Sequence, residues 1–199
     1  MIIKEKYEYK IGDNNFEGII CYDNEIDGPL PGVLVSHQYS GCSKMEERKC
    51  EFLAKAGYFA FAIDLYGKGI RGKTPEESLN LMNQLSEDRK VLSDRINYCL
   101  NLLKNYELVD SSKVAAIGYC FGGRCVLDLA RSGAELNIVV SFHGIYDRPN
   151  IDNPKNIKTP ILLLHGYEDP YATEDDLKKL LNELKEKNSR WFVHIFGGV

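Results

Sequence analysis

Six residues, Gly118-Tyr119-Cys120-Phe121-Gly122-Gly123, constrain this chain more than any others. An apolar run, Lys113 to Ile117, precedes them, and a helix-like stretch, Arg124 to Ser132, follows. A Gly-x-nucleophile-x-Gly turn between a strand and a helix has the layout of a nucleophile elbow. The turn is sharp and strained, so small flanking residues let the backbone fold back on itself. It lifts one side chain clear of a sheet, at the start of a helix whose free N–H groups favour negative charge. Here that side chain is a cysteine. A thiol so placed is expected to ionise easily, its pKa drawn from ~8.5 toward roughly 3.5–7.5.

The remaining sequence fits an α/β protein built around that turn. A chain of 199 residues, 44% of them apolar, suits one domain spanning 1–199 with a sizeable core. Its net charge of −4, with no long Lys/Arg run, argues against an electrostatic grip on nucleic acid. The opening Met1-Ile2-Ile3-Lys4-Glu5-Lys6 carries charge where a signal peptide needs apolar residues. No segment approaches the ~20 apolar residues of a membrane span, so a soluble, cytoplasmic protein is expected. Of the cysteines, Cys21, Cys42, Cys50, Cys99, Cys120 and Cys125, none forms a C-x-x-C pair. Neither a redox motif nor a zinc knuckle follows from them, and only Cys120 sits in a reactive setting.

Strand-like and helix-like segments alternate along the chain, the signature of a mostly parallel sheet flanked by helices. Strands are expected at Ile2–Tyr9, Glu17–Tyr22, Val33–Ser36, Phe59–Ile63, Ile138–Phe142, Pro160–Leu164 and Arg190–Phe196, besides the elbow strand. Helix Lys44–Ala56 should end at Gly57, and Thr74-Pro75-Glu76-Glu77 reads as a helix start. A long amphipathic helix runs from about Glu87 to Tyr106, and Thr173–Lys187 opens with a Thr173/Asp176 capping box.

A cysteine nucleophile needs a base, and the base needs an orienting carboxylate. Around an elbow of this kind they follow in the order nucleophile, acid, histidine. Asp169, in Leu164-His165-Gly166-Tyr167-Glu168-Asp169-Pro170, is the acid candidate, with Glu168 the fallback. An oxyanion hole would take the N–H of Phe121 and a second N–H from the loop His37-Gln38-Tyr39-Ser40-Gly41-Cys42, with Tyr39 the donor by position. Tyr66, Tyr119, Tyr146, Tyr167 and Tyr171 fall near strand ends and suggest an aromatic pocket, and Arg71 and Arg124 could meet a substrate carboxylate.

Together these pieces resemble the dienelactone hydrolase family of α/β hydrolases. The resemblance rests on Gly118–Gly123, on Asp64-Leu65-Tyr66-Gly67, on Ser141-Phe142-His143-Gly144, and on His165-Gly166 with Asp169-Pro170. It implies the α/β-hydrolase fold, a mostly parallel twisted sheet of about seven to eight strands with helices on both faces. It also implies a Cys-Asp-His triad with Cys120 and Asp169 in the first two roles, and hydrolysis of a small ester or lactone through a thioester. No metal or organic cofactor is implied.

Two departures stand out. Gln38 occupies the place where the family often carries a glutamate that sets the thiol's protonation, and an amide cannot hold charge. The family's histidine follows the last strand and a Gly-containing turn, whereas Trp191–Phe196 leads here into Gly197-Gly198-Val199. The histidine and a closing helix are therefore expected beyond Val199, and the chain alone is expected to expose an apolar patch, to be less stable and to associate. His37, His143 and His165 are the substitutes within the chain, while His194 lies mid-strand. A non-catalytic relative that binds a small molecule or a protein is the alternative. A nucleotide-binding domain is disfavoured, since Gly118–Gly123 matches neither G-x-G-x-x-G nor a P-loop.

Overall fold

The sheet begins as a hairpin. Strands Ile2–Ile11 (β1) and Asn14–Asp23 (β2) pair antiparallel from Ile2–Asp23 to Ile11–Asn14, and Gly12 turns the corner at φ +58°. Two-residue hairpin loops need such positive φ values to match the strand twist. The computed structural model describes every residue from Met1 to Val199.

Strands and helices then alternate: Leu30–Ser36 (β3), Lys44–Lys55 (α1), Phe59–Ile63 (β4), Pro75–Glu87 (α2), Arg89–Lys104 (α3), Val109–Tyr119 (β5), Phe121–Arg131 (α4), Ile138–Phe142 (β6), Ile161–Gly166 (β7), Glu174–Glu186 (α5) and Trp191–Phe196 (β8). The eight strands lie in the order β1-β2-β4-β3-β5-β6-β7-β8. Every pair from β4 to β8 is parallel, and β2 meets β4 antiparallel. This is the expected α/β-hydrolase sheet.

The strand order positions the site. From β3 the chain moves outward to β4, then returns to the other side of β3 as β5. Ser36 at the end of β3 therefore lies opposite Gly118 near the end of β5. The loops leaving these two strands diverge at a switch point, where open α/β sheets collect ligands. Both the elbow and the loop from His37 to Cys42 emerge there.

Helices cover both faces unequally. The larger core joins residues such as Phe61, Leu92, Ile96, Phe121, Val126, Leu163 and Leu180, under α3, α4 and α5. A smaller cluster under α1 holds Cys21, Val33, Val35, Cys42, Cys50 and three alanines. At the far edge β8 pairs only with β7, and Trp191, Phe192, Ile195 and Phe196 are exposed. Trp191 and Ile195 fall on one face of β8, and Phe192 and Phe196 on the other.

The helix opened at Thr74 and the long helix read from about Glu87 are α2 and α3, divided at Asp88, whose side chain accepts the Val91 N–H at 3.0 Å. Two boundaries differ from the sequence reading. Strand β5 starts at Val109 rather than Lys113, because Leu30 and Pro31 pair with Val109 and Asp110 before a register shift. Helix α4 starts at Phe121 rather than Arg124, so the two elbow glycines are helical.

Candidate active site

Cys120 bridges β5 and α4 at φ +55° and ψ −118°. A side chain in that region is strained and persists only where its surroundings hold it. Here the Cys120 N–H donates to the Phe142 carbonyl on β6 at 3.0 Å, and the Cys120 carbonyl accepts from Gly123 at 2.9 Å. The glycines are required by proximity. A Cβ on Gly118 would lie 2.0 Å from the Gly122 carbonyl oxygen, and one on Gly122 2.4 Å from that of Ser36. The elbow is thus pressed against β3 with no room for a methyl group.

The Cys120 thiol is half-buried and makes no side-chain capping bond. Burial pushes its pKa above the ordinary value; the Phe121 N–H and Arg124 pull it down, and the Asp169 charge pushes it up. This reverses the expectation of an easily ionised thiol. Desolvation of the charged form outweighs the helix terminus.

Across the switch point, the loop after β3 ends where Ser43 and Glu46 form a capping box that starts α1. Within it Gly41 donates to the Gln38 carbonyl at 3.1 Å, with Gly41 at φ +96°. The Tyr39 N–H has no acceptor in the protein, as an oxyanion donor requires. The Gln38 side-chain amide turns toward the Met45 thioether. His37 is fully buried and spent: its Nδ1 lies 2.6 Å from the Gln38 carbonyl, and its Nε2 accepts the Leu65 N–H at 3.2 Å. It has no nitrogen left to act as a base.

Asp169 follows β7 and accepts the Tyr171 N–H at 2.9 Å. It lines a cavity of about 540 Å³ with Phe142, His143, Pro170, Phe196 and Val199. No histidine hydrogen-bonds it. His165 is buried, with Nδ1 3.3 Å from the Tyr146 hydroxyl, and His194 lies exposed on β8. His143 is exposed at φ +39° and shares the Asp169 cavity. The fallback acid Glu168 lines the same cavity, and its carboxylate accepts the N–H groups of Gly198 and Val199.

The five tyrosines do not form one pocket. Tyr119 stacks on Phe142 at 4.4 Å with the Lys49 ammonium over its ring, Tyr146 is buried beside His165, and Tyr167 and Tyr171 are exposed. The substrate-facing roles considered for the arginines are also closed. Arg71 holds the carbonyls of Cys42, Gly67 and Ile70, and Arg124 holds Ser86 and Asp147. Tyr66 is the residue whose place the sequence concealed: it is buried between His37 and Phe121, with its hydroxyl on the Tyr39 carbonyl. Its position directly after β4, at the edge where ligands gather, was the available signal.

Known proteins are similar to this chain in sequence and in fold. The chain is 25% identical over 190 residues to a Bradyrhizobium protein named "Probable 2-oxo-3-(5-oxofuran-2-ylidene)propanoate lactonase", covering 87% of this chain and 73% of that one. It is 26% identical over 166 residues to a Methylorubrum extorquens protein named "Putative carboxymethylenebutenolidase", covering 76% of this chain and 57% of that one. The chain therefore spans little more than half of that second relative. Among solved structures, one named m3DLH superposes with a TM-score of 0.94 at 30% identity, over the whole of this chain and 82% of that one. A dienelactone hydrolase-like promiscuous phosphotriesterase from metagenomic libraries superposes with a TM-score of 0.92, also at 30% identity, over 100% of this chain and 82% of its own. The family model described as the dienelactone hydrolase family matches residues 16–199, which include the elbow, the β3 loop and Asp169, and the chain belongs to that family of hydrolases.

Proposed function

We propose that this chain supplies the nucleophile, the triad acid and the oxyanion donors of a hydrolase that cleaves an ester or lactone through a thioester on Cys120. The observation that carries the reading is the strained Cys120, held at the mouth of α4 with its thiol half-buried and its N–H on the carbonyl of Phe142, which lines one cavity with Asp169. The printed names of the relatives, a lactonase and a carboxymethylenebutenolidase, support a lactone as substrate class.

The Cys120 thiolate attacks the carbonyl carbon, and the π electrons move onto oxygen. The N–H groups of Tyr39 and Phe121 receive that oxyanion. Collapse forms the thioester and expels the alkoxide, which is protonated as it leaves. Water then attacks the thioester, and Cys120 departs as thiolate. A histidine oriented by Asp169 moves the protons in both halves. The Asp169 cavity has the volume to admit its imidazole. A second reading uses His143 as the base, because it lines that same cavity.

The test is stopped-flow cleavage of p-nitrophenyl acetate by near-stoichiometric protein, beside Cys120→Ala. A burst that vanishes in the variant is the expected result. Sustained turnover by the 199-residue chain, lost in His143→Ala, would favour the second reading. Product release indifferent to Cys120 would sink the thioester mechanism and leave a non-catalytic binding relative as the better account.

A further inference from the structure

We infer that Tyr66 is a positioning residue of the oxyanion hole, its hydroxyl fixing the Tyr39 peptide while its ring braces Phe121. The inference rests on the thioester reading, in which those two residues give the N–H donors. Tyr66 bridges them. Its hydroxyl donates to the Tyr39 carbonyl at 2.8 Å, and its ring lies 6.1 Å from that of Phe121, near-parallel at 23°. On another side it meets His37 at 4.7 Å. Only 8% of the residue is exposed, so its hydroxyl has little choice of partner.

The support beneath Tyr66 is rigid. Its N–H donates to Asp64 Oδ1 at 3.0 Å, and the other oxygen of Asp64 accepts the Glu17 N–H at 3.2 Å. The Tyr9 hydroxyl donates to the Asp64 carbonyl at 2.5 Å, and Leu65 donates to His37 at 3.2 Å. The loop it holds has little structure of its own. Beyond the Gly41–Gln38 bond, the carbonyls of Tyr39, Ser40 and Cys42 are held by Tyr66, the Gly72 N–H and Arg71 in turn. One segment, from Tyr66 to Gly72, therefore fixes the β3 loop at three points. Of the three, Tyr66 also sets its ring beside that of Phe121 on the elbow helix.

Oxyanion stabilisation depends on donors already aimed at the developing charge, and loss of one donor typically costs ~10²–10³ in rate. A donor that is loosened rather than removed should cost less, roughly tenfold. The loss should appear only in reactions that make an oxyanion. Acylation by p-nitrophenyl acetate makes one; alkylation by iodoacetamide, a displacement at a saturated carbon, does not. A residue with a merely structural role would slow both.

The experiment compares the two Cys120 rates in the parent and in Tyr66→Phe, which keeps the ring and deletes the hydroxyl. The acylation rate should fall about tenfold while the alkylation rate holds. An unchanged ratio of the two rates overturns the inference, whether both hold or both fall. If the parent shows no Cys120-dependent burst, the thioester reading is what fails. Amide hydrogen exchange at Tyr39, Ser40 and Gly41 then decides the anchoring: faster exchange in Tyr66→Phe upholds it, and unchanged exchange overturns it.

Discussion

The Glu168 carboxylate accepts the Gly198 N–H at 2.8 Å, and the same oxygen accepts that of Val199 at 3.2 Å. Its own N–H donates back to the Val199 carbonyl at 3.0 Å. Two adjacent carboxylates at the end of β7 thus have different tasks. Both line the same cavity, but Glu168 fastens the segment leaving β8 whereas Asp169 holds the Tyr171 N–H. Hydrogen bonds to a charged group contribute about 1.5–3 kcal/mol each, discounted here because Glu168 is exposed. Glu168→Ala should therefore lower stability by roughly 1 kcal/mol in urea unfolding. Asp169→Asn, which keeps the Tyr171 contact, should stay within about 0.5 kcal/mol of the parent. Equal losses in both would refute the division of tasks.

A buried ion network stands behind the site. Asp128 on α4 receives Arg89 of α3 through two bonds of 2.6 and 2.7 Å, and Arg131 at 3.1 Å. Arg131 continues to Glu183 of α5 at 2.7 Å and to the Tyr146 carbonyl at 3.0 Å. The network ties three helices to the loop after β6, whose first neighbour Phe142 holds the Cys120 N–H. Removing one partner of a buried pair leaves the other charge uncompensated, at about 3–5 kcal/mol. Asp128→Ala should lose that much in guanidinium unfolding, and a loss under about 1 kcal/mol would mean that water relieves the arginines.

The sequence announced the elbow because its constraint is local. Gly118, Cys120 and Gly122 are spaced by the turn itself, and any chain making that turn must show them. The mostly parallel sheet was legible for a related reason, since apolar and amphipathic segments alternate along the chain. The ion network was not legible, because Arg89, Asp128, Arg131 and Glu183 meet only after three helices pack. Arg124 shows the same blindness: beside the nucleophile in sequence it suggested substrate contact, whereas it turns to Ser86 and Asp147. The thiol's pKa was misjudged because a sequence shows the helix terminus but not the desolvation around it.

His37 gives the fold a defined acid sensitivity. Its two nitrogens are engaged in the neutral form, and burial, the largest influence, holds its pKa below 6.5 despite the raising pull of the Gln38 carbonyl, Asp64 and Glu46. The unfolded chain takes up a proton near pH 6.5 that the folded chain refuses. Stability should therefore be level above about pH 6.5 and fall below it, by up to about 1.4 kcal/mol per pH unit for one such group. Urea midpoints at pH 7.5, 6.5 and 5.5 test this. A midpoint unchanged down to pH 5.5 would mean that His37 accepts the proton in place.

The sharpest prediction concerns the thiol itself. Iodoacetamide should find one reactive cysteine, because Cys42, Cys99 and Cys125 are buried with pKa values pushed up to about 12, and Cys21 and Cys50 are fully buried too. The rate at Cys120 should rise with pH through a midpoint above the ordinary cysteine value, since burial dominates. Asp169→Asn removes a negative charge that disfavours the thiolate and should move the midpoint toward acid. Arg124→Met removes a favourable positive charge and should move it toward alkali. A parent midpoint near neutrality would show a thiol activated by some partner other than Phe121 and Arg124. A profile unmoved by Asp169→Asn would place that carboxylate out of reach of Cys120, and the pairing of nucleophile and acid on which the mechanism depends would fail with it.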